Sequence, residues 1–490
     1  MTPPVASFQP IIQSLLLAFA AAVALVPVAR RLAIRIDVVA RPRADRWHRT
    51  IVPLLGGVAI GLATTITGLV FGLAVSLPVV LFASMAMFVM GLVDDILLLR
   101  PATKLVAQIA AAAALVYFGF RLNWLESRLL DSVLTMVWVV GLTNAFNLLD
   151  NMDGLCAGIA LIVAAMLLAG FWTGASRDNA MPEMILLAAL AGAAAGFLVF
   201  NFPPASIFMG DSGSMLFGFS LAALTLGHEG VRASRSDVLS AIAGPAFVLL
   251  IPIFDTSLVT VARLLSGRSP AKGGRDHSSH RLVAIGLSER DAVLVLWLLA
   301  AVGGGIGLLL RNFSPDWSLP VGSVFLIAMC AFAVYLARVR VYEDLPPGQV
   351  TDGFTLLQSN FMNRRRVVEV LVDVTVIGAS YYWATGLVFY DPEGYLRNAE
   401  VFYRSLPVIV TTQLIAFFGR GLYRGVWQPF ARPDVNKVLE GVLAGTAIAQ
   451  IFLVAYYGYF AVSWKVVLLQ ALLITIGVIS SRLIGRMFPP

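Results

Sequence analysis

The feature that most constrains this chain is a succession of apolar runs, each near the length of a bilayer crossing. A helix of about 20 apolar residues spans the hydrocarbon core. About fifteen stretches approach that length: 11–29, 55–73, 79–98, 105–120, 133–149, 155–173, 184–199, 215–226, 238–262, 292–310, 321–337, 367–388, 401–418, 438–459 and 466–484. The run at 215–226 is short and fits a half-buried helix. Backbone polar groups must satisfy one another in lipid. The predicted fold is therefore an all-α polytopic membrane protein, with about 11 transmembrane helices before residue 340 and about 4 after it. Composition agrees, since only 13% of residues are charged and 59% are hydrophobic, whereas soluble domains carry about a quarter charged. No basic segment precedes the first run, which reads as a retained helix and not a cleaved signal. Cys156 and Cys330 lie in or beside apolar runs and imply neither a disulfide nor a metal framework.

The net charge of +7 belongs to loops, where it sets orientation and gives no reason to invoke nucleic acid. Residues 30–50 hold seven Arg against two Asp, and 263–290, 338–366 and 420–437 are also basic. These loops follow the first, ninth, eleventh and thirteenth runs. The positive-inside rule then predicts an N-terminus outside and a C-terminus in the cytoplasm. Arg121, Arg128, Arg232 and Arg235 fall on the other side, so the bias is strong but not uniform. The same parity puts the loops at 94–104, 150–154 and 201–213 on the cytoplasmic face, which predicts one site where helices leave the membrane.

Those loops carry the polar chemistry. "GLVDD" ends in Asp94 and Asp95. Adjacent acids there are either a solvated helix end or a metal or general-base site, because two buried carboxylates need a cation nearby. Lys104, the only lysine in the first half of the chain, is either a snorkelling anchor or a phosphate contact, with Gln108 on the same helical face. In "NAFNLLDNMDGL", Asn144, Asn147, Asp150 and Asp153 recur every third residue and make a drifting polar stripe; capping explains one of them, not all. "NFPPASIFMGDSGSMLFG" stops a helix at Pro203-Pro204. It then offers Phe208 for stacking, Asp211 for a hard cation such as Mg²⁺, and a helix start suited to phosphate. "GGRDHSSHRL" gathers His277 and His280 with Arg275 and Arg281. The two histidines lack an evident third ligand for zinc, and a basic cluster beside a diphosphate fits better. Together these groups predict phosphoryl transfer on a nucleotide, without a Walker loop, at a lipid boundary.

In order and spacing, "GLVDD", "NAFNLLDNMDGL", "FMGDSGSMLFGF" and "DHSSHRL" resemble the polyprenyl-phosphate N-acetylhexosamine-1-phosphate transferases, with "RPRADRWHRTIVPLLGG" similar to their early cytoplasmic loop. The resemblance covers about residues 10–340 and is nearer the polysaccharide-initiating branch than the peptidoglycan branch. It implies transfer of a sugar-1-phosphate, most simply GlcNAc-1-phosphate, from a UDP-N-acetylhexosamine to polyprenyl (undecaprenyl) phosphate, releasing UMP. The setting it implies is the bacterial plasma membrane, with the active site on the cytoplasmic face. It implies Mg²⁺, with Mn²⁺ as the alternative, held mainly by Asp211 with Asp150. Asp94, with Asp95 beside it, is implied as base or orienting group, Lys104 as phosphate ligand, and Asn147, Asn151 and Asp153 as the nucleotide wall. Phe208 is implied to stack on uracil, while His277, His280, Arg281 and His48 are implied to contact the donor. The chain departs from its relatives in two places: Ser279 replaces the third position of a His-x-His-His pattern, and Asp45-Arg46 replaces Arg-Lys. Rival readings are a flippase for lipid-linked sugars and a silent scaffold. Acids at helix ends, not at the bilayer midplane, argue against the first, and the retained acids argue against the second.

Residues 341–366 read as a cytoplasmic linker. The four runs of 367–490 resemble the membrane region that precedes the Rossmann domain in polysaccharide-type sugar-nucleotide dehydratases and epimerases, on Phe418, Leu422, Tyr423, Arg424 and Trp427. No GxGxxG accompanies them. Docking of a partner enzyme of the same pathway is the functional expectation, and an interfacial aromatic–cationic belt is the alternative for Tyr423, Arg424 and Trp427. Asp373, an acid inside an apolar run, is expected to pair with an Arg.

Overall fold

The computed structural model describes residues 8–41, 51–125, 127–174, 179–228, 238–265, 274, 276–312, 315–339, 364–389, 392–422, 432–457 and 462–487. His48, Asp45, Arg46, Arg275, Tyr423, Arg424 and Trp427, all singled out above, lie outside the described residues. The chain divides into two compact units, 1–313 with 335–345, and 314–334 with 346–490.

The first unit opens with α1 (Gln9–Arg35), a short antiparallel pair β1 (Val39–Ala40) and β2 (Val52–Pro53), and α2 (Gly56–Val70). A single turn α3 (Leu73–Ser76), α4 (Pro78–Leu97), α5 (Pro101–Tyr117) and β3 (Phe120–Arg121) follow. Next come α6 (Arg128–Leu149), α7 (Leu155–Thr173), α8 (Met181–Asn201), α9 (Gly210–Ala223) and β4 (Gly227–His228), which pairs with β3. The remaining helices of this unit are α10 (Val238–Val248), α11 (Leu250–Leu265), α12 (Ser278–Ala284) and α13 (Glu289–Asn312); α14 (Pro315–Ala337) follows, with its residues up to 334 in the second unit. Among the described residues eight helices are long and apolar enough to cross a membrane, six of them in α1, α4, α6, α7, α8 and α13. The all-α polytopic expectation is met.

The run 238–262 is not one crossing. It breaks at Leu249 into α10 and α11, because Pro252 has no N–H to offer the Val248 carbonyl and Pro245 sits inside the first half. The run at 215–226 is also more than half-buried. From Ser212 to Ala223 every side chain of α9 is buried, and the helix packs against α2, α4, α6 and α7. A 14-residue helix is too short to span a bilayer alone, so it survives as the central post of the unit.

That post can approach its neighbours because glycine faces it. A Cβ on Gly91 of α4 would fall on the Asp211 carbonyl. At the start of α9, Gly210 adopts φ 73°, which favours glycine, and a Cβ there would lie 2.7 Å from the Asp95 carboxylate. The sequence thus removes side chains where α4 meets the start of α9.

In the second unit, α15 (Arg364–Val388), α16 (Pro392–Gly419), α17 (Arg432–Tyr457) and α18 (Trp464–Met487) enclose a core that includes Ile377, Tyr381, Phe417, Val438 and Ile474. Asp373, fully buried, pairs with Arg482 at 2.6 Å, linking α15 to α18. The expected intramembrane partner is therefore an Arg of the last helix. Tyr381 hydroxyl and Ser405 hydroxyl share a 2.6 Å hydrogen bond, and Gln413 Nε2 donates to the Gly441 carbonyl at 2.9 Å. Each buried polar group named here has a partner, as the low dielectric demands.

Candidate active site

The site begins with two neighbours on α4. Successive helical residues diverge by about 100°, so Asp94 and Asp95 address different partners. Asp94 is 7% exposed. Its Oδ1 accepts from the Leu99 N–H at 2.8 Å and its Oδ2 from Lys104 Nζ at 2.9 Å. Asp95 instead grips the start of α9. Oδ1 accepts from the Asp211 N–H at 2.7 Å, and Oδ2 accepts from the Ser212 N–H at 3.0 Å and hydroxyl at 2.7 Å. The first N–H groups of a helix have no partner within it and attract negative charge, so Asp95 caps α9 from a different helix.

Lys104, in the first turn of α5, holds Asp94 and also reaches Asp211 Oδ2 at 2.8 Å. One ammonium thus joins three elements, α4, α5 and α9. Asn147 of α6 donates to the Ser214 hydroxyl at 3.1 Å and is among the groups that lower the Asp211 carboxyl. Asp150 lies just past the end of α6 and senses Asp211, Asp95 and the Gly210 backbone. Burial, then the charges of Asp211, Asp95 and Asp153, push its carboxyl up to about 8. Asp95, Asp150 and Asp211 therefore sense one another's charge, while Lys104 pairs with Asp94 and Asp211 only. That excess of negative charge at a water-poor boundary is the condition that a divalent cation relieves.

Among the described residues no three Asp, Glu, His or Cys side chains converge closely enough to chelate an ion by themselves. Mg²⁺ typically takes one or two protein carboxylates and completes its shell with water and substrate phosphates. Asp211 and Asp150, hard oxygen donors at the two ends of the Gly210–Asp211 step, are the groups that fit such an ion.

The rest of the Asn144–Leu155 segment positions its neighbours. Asn144 and Gln108 exchange amide hydrogen bonds at 2.7 and 3.3 Å, tying α6 to α5. Asp153 Oδ2 accepts from the Ala205 N–H at 2.7 Å, and Asn201 Oδ1 accepts from the Gly154 N–H at 3.0 Å. These bonds hold the 202–209 loop. Within it Phe208 is half-buried, its N–H donating to the Pro53 carbonyl at 2.8 Å and its carbonyl accepting from the Gly56 N–H at 2.9 Å. Asn151 Oδ1 accepts from the Ser279 hydroxyl at 2.6 Å, which brings the histidine segment to the edge of the carboxylate cluster.

From Asp276 to Leu282 that segment is buried. His277 Nδ1 lies 2.8 Å from Asp255 Oδ2, and the His277 and His280 rings meet edge to face with centroids 5.9 Å apart. Arg263 forms a two-point pair with Asp276 at 2.9 and 2.6 Å. Burial alone would raise the Asp276 carboxyl, but the hydrogen bond and charge of Arg263 win and hold it below the ordinary carboxylate range. Arg281, implied above as a donor contact, sends Nε to the Asp276 carbonyl at 2.7 Å and one terminal nitrogen to the carbonyls of Leu336 and Val339 at 2.8 and 3.0 Å. These bonds make it a brace of the segment.

The sequence-predicted residues Asp94, Asp95, Lys104, Asn147, Asp150 and Asp211 are therefore brought together, with Asn151, Asp153 and Phe208 in the flanking loops and His277, His280 and Arg281 behind Asn151. Asp255, Arg263 and Asp276 escaped sequence reading. The available signal was a lone acid inside the apolar run 238–262, with an Arg two helical turns later on the same face.

The first unit is thus a bundle of membrane-length helices that gathers carboxylates, a lysine and a helix N-terminus at its polar edge. The model of glycosyl transferase family 4 matches residues 77–228, which contain this cluster. A Bacillus subtilis (strain 168) protein named "Probable undecaprenyl-phosphate N-acetylglucosaminyl 1-phosphate transferase" is 31% identical over 318 residues, covering 62% of this chain and 86% of the relative. The decaprenyl-phosphate N-acetylglucosaminephosphotransferase of Mycolicibacterium smegmatis is 37% identical over 306 residues, 55% of this chain and 74% of that one. A phospho-N-acetylmuramoyl-pentapeptide-transferase of Shouchella clausii is 28% identical over 328 residues, 60% and 95% respectively. The chain belongs to glycosyl transferase family 4, among its polyprenyl-phosphate sugar-1-phosphate transferases.

Proposed function

We propose that this protein transfers N-acetylglucosamine-1-phosphate from UDP-GlcNAc to polyprenyl phosphate, releasing UMP and starting a lipid-linked cell-surface polysaccharide. The observation that carries this reading is the Lys104 bridge between Asp94 and Asp211 at the N-terminus of α9. It sets a phosphate-binding cation between two acids, in a chain related to enzymes named for this transfer.

In the reaction, an oxygen of the lipid phosphate bonds to the β-phosphorus of the donor while the bond from that phosphorus to the oxygen bridging it to the α-phosphate breaks. UMP leaves with the bonding electrons. The acceptor needs little deprotonation, because a phosphate group with a second pKa of about 6 is largely ionised at neutrality. The chain's work is positioning and charge neutralisation. Lys104 holds the acceptor phosphate, Asp94 orients Lys104, and Asp95 fixes the α9 turn that carries Asp211. Mg²⁺, or Mn²⁺ in its place, held by Asp211 with Asp150, would screen the diphosphate charge and stabilise the UMP leaving group. Asn147, Asn151 and Asp153 shape the nucleotide wall, Phe208 offers a ring to uracil, and His277 and His280 approach the sugar-diphosphate; His48 is assigned to the donor on its sequence motif alone. Arg281 serves by holding that segment in place.

The positive loops support a cytoplasmic active site in a bacterial plasma membrane, with the N-terminus outside and the C-terminus inside. The second unit is the docking site for another enzyme of the pathway. The test is UMP release by the purified protein from UDP-GlcNAc, UDP-GalNAc and 6-deoxy analogues, with Mg²⁺ and polyprenyl phosphate. Turnover that requires both the lipid phosphate and the divalent ion is expected. Lipid-linked sugar translocation without UMP release would replace this reading with a flippase.

A further inference from the structure

Residues 276–281 are clamped by one face of α11. Asp255 and Arg263 stand eight residues apart, about two helical turns, and so point the same way. Arg263 holds the Asp276 carboxylate. Asp255, 1% exposed, holds the next two residues, with Oδ1 accepting from the Ser278 N–H at 2.7 Å and Oδ2 2.8 Å from His277 Nδ1. From the other side Ser279 is tied to Asn151, the neighbour of Asp150. The histidine ring is thus pinned by its Nδ1 edge within a segment anchored on both flanks.

An ionised carboxylate has only acceptors to offer. At 2.8 Å from Asp255, His277 Nδ1 must therefore carry a proton, which leaves Nε2 as the ring's remaining polar atom. Orientation of one ring nitrogen by a carboxylate is how many sites fix which nitrogen meets the substrate. We propose that Asp255 is a positioning residue for the transfer reaction: it holds His277 in the Nδ1-protonated form and turns Nε2 toward the sugar-diphosphate of the donor. The role in turnover rests on the function proposed above, whereas the state of the ring does not.

Two measurements on the full-length protein in detergent test it. The first compares Asp255→Asn, His277→Ala and the double variant with wild type in UMP release. Asp255→Asn should lower kcat/KM for UDP-GlcNAc by about 10- to 100-fold, the usual effect of removing an orienting partner, and leave the KM for polyprenyl phosphate unchanged. The double variant should be no worse than His277→Ala, because Asp255 acts through that ring. Losses that multiply in the double variant would overturn the proposal and leave Asp255 a packing residue. The second is ¹⁵N NMR of histidine-labelled protein, practicable because the chain has four histidines and His277→Ala assigns the signal. A protonated Nδ1 on His277 in the wild type, lost in Asp255→Asn, is expected; an unprotonated Nδ1 in the wild type overturns the proposal even if the variant fails to fold. If the wild type releases no UMP from any UDP-N-acetylhexosamine, the proposed function fails, and the NMR result still decides the pairing.

Discussion

Asp95 and Ser212 are joined twice, with Asp95 Oδ2 accepting from both the backbone N–H and the hydroxyl of Ser212. The contact fastens the end of α4 to the start of α9, and Asp211 rides on the turn it fixes. Two acids near one another therefore differ in kind: Asp95 builds the turn and Asp211 uses it. Asp95→Ala should lower stability by about 1–3 kcal/mol, the cost of stranding partly buried donors, seen as earlier thermal aggregation in detergent. Asp211→Ala should unfold no earlier yet abolish UMP release at every Mg²⁺ concentration. Wild-type turnover in Asp211→Ala would remove it from the metal site.

Lys104 occupies the space between Asp94 and Asp211 that an incoming cation or phosphate must share. Lys104→Met should therefore bind Mn²⁺ more tightly, read by electron paramagnetic resonance. UMP release should fall by about 10²–10³-fold, the scale for loss of one charge-stabilising donor. Weaker metal binding in that variant would show that the bridge helps the ion and does not compete with it.

The Asp150 carboxyl, pushed up to about 8 by burial and the surrounding acids, binds a proton below that pH and is ionised above it. A cation can coordinate it only by displacing the proton. Apparent Mg²⁺ affinity should therefore rise with pH and level off above about 8, falling up to about tenfold per unit below it. Asp150→Asn should flatten the dependence. A profile unchanged in that variant would assign the titration to another group.

Arg281 bonds three main-chain carbonyls, those of Asp276, Leu336 and Val339. Arg281→Ala should chiefly destabilise the protein, by about 1–3 kcal/mol for the stranded acceptors, and UDP-GlcNAc KM at low temperature should change little. A large KM increase with unchanged stability would return Arg281 to the donor site.

Deletion of residues 367–490 should leave UMP release in vitro intact while impairing polysaccharide assembly in cells. Loss of basal activity would show that the second unit is needed for the catalytic fold.

Part of the site was legible because polar residues at the ends of alternate apolar runs share one face; parity placed the loops that carry Asp94, Lys104, Asp150 and Asp211 there, and residue type singled those four out. Adjacency misled in one case. "DD" reads as a pair, but the helical turn between Asp94 and Asp95 sends one to Lys104 and the other to α9, and only the packing reveals which. Asp255 was hidden differently. It lay inside a run read as one continuous helix, and the break at Leu249 and the return of the chain through Asp276 bring it beside His277. Arg281 showed the limit of residue type as a guide, since a buried guanidinium serves carbonyls as readily as phosphates.

The back wall of the reactive turn is main chain. At Gly91 and Gly210 the absence of a side chain lets Asp211 sit where it does, so its position depends on atoms that no residue contributes. Alanine scanning, which detects function by subtraction, normally treats glycine-to-alanine as its mildest change. Here that exchange is an insertion, and Gly91→Ala and Gly210→Ala are expected to rank with the acids themselves in a mutational screen.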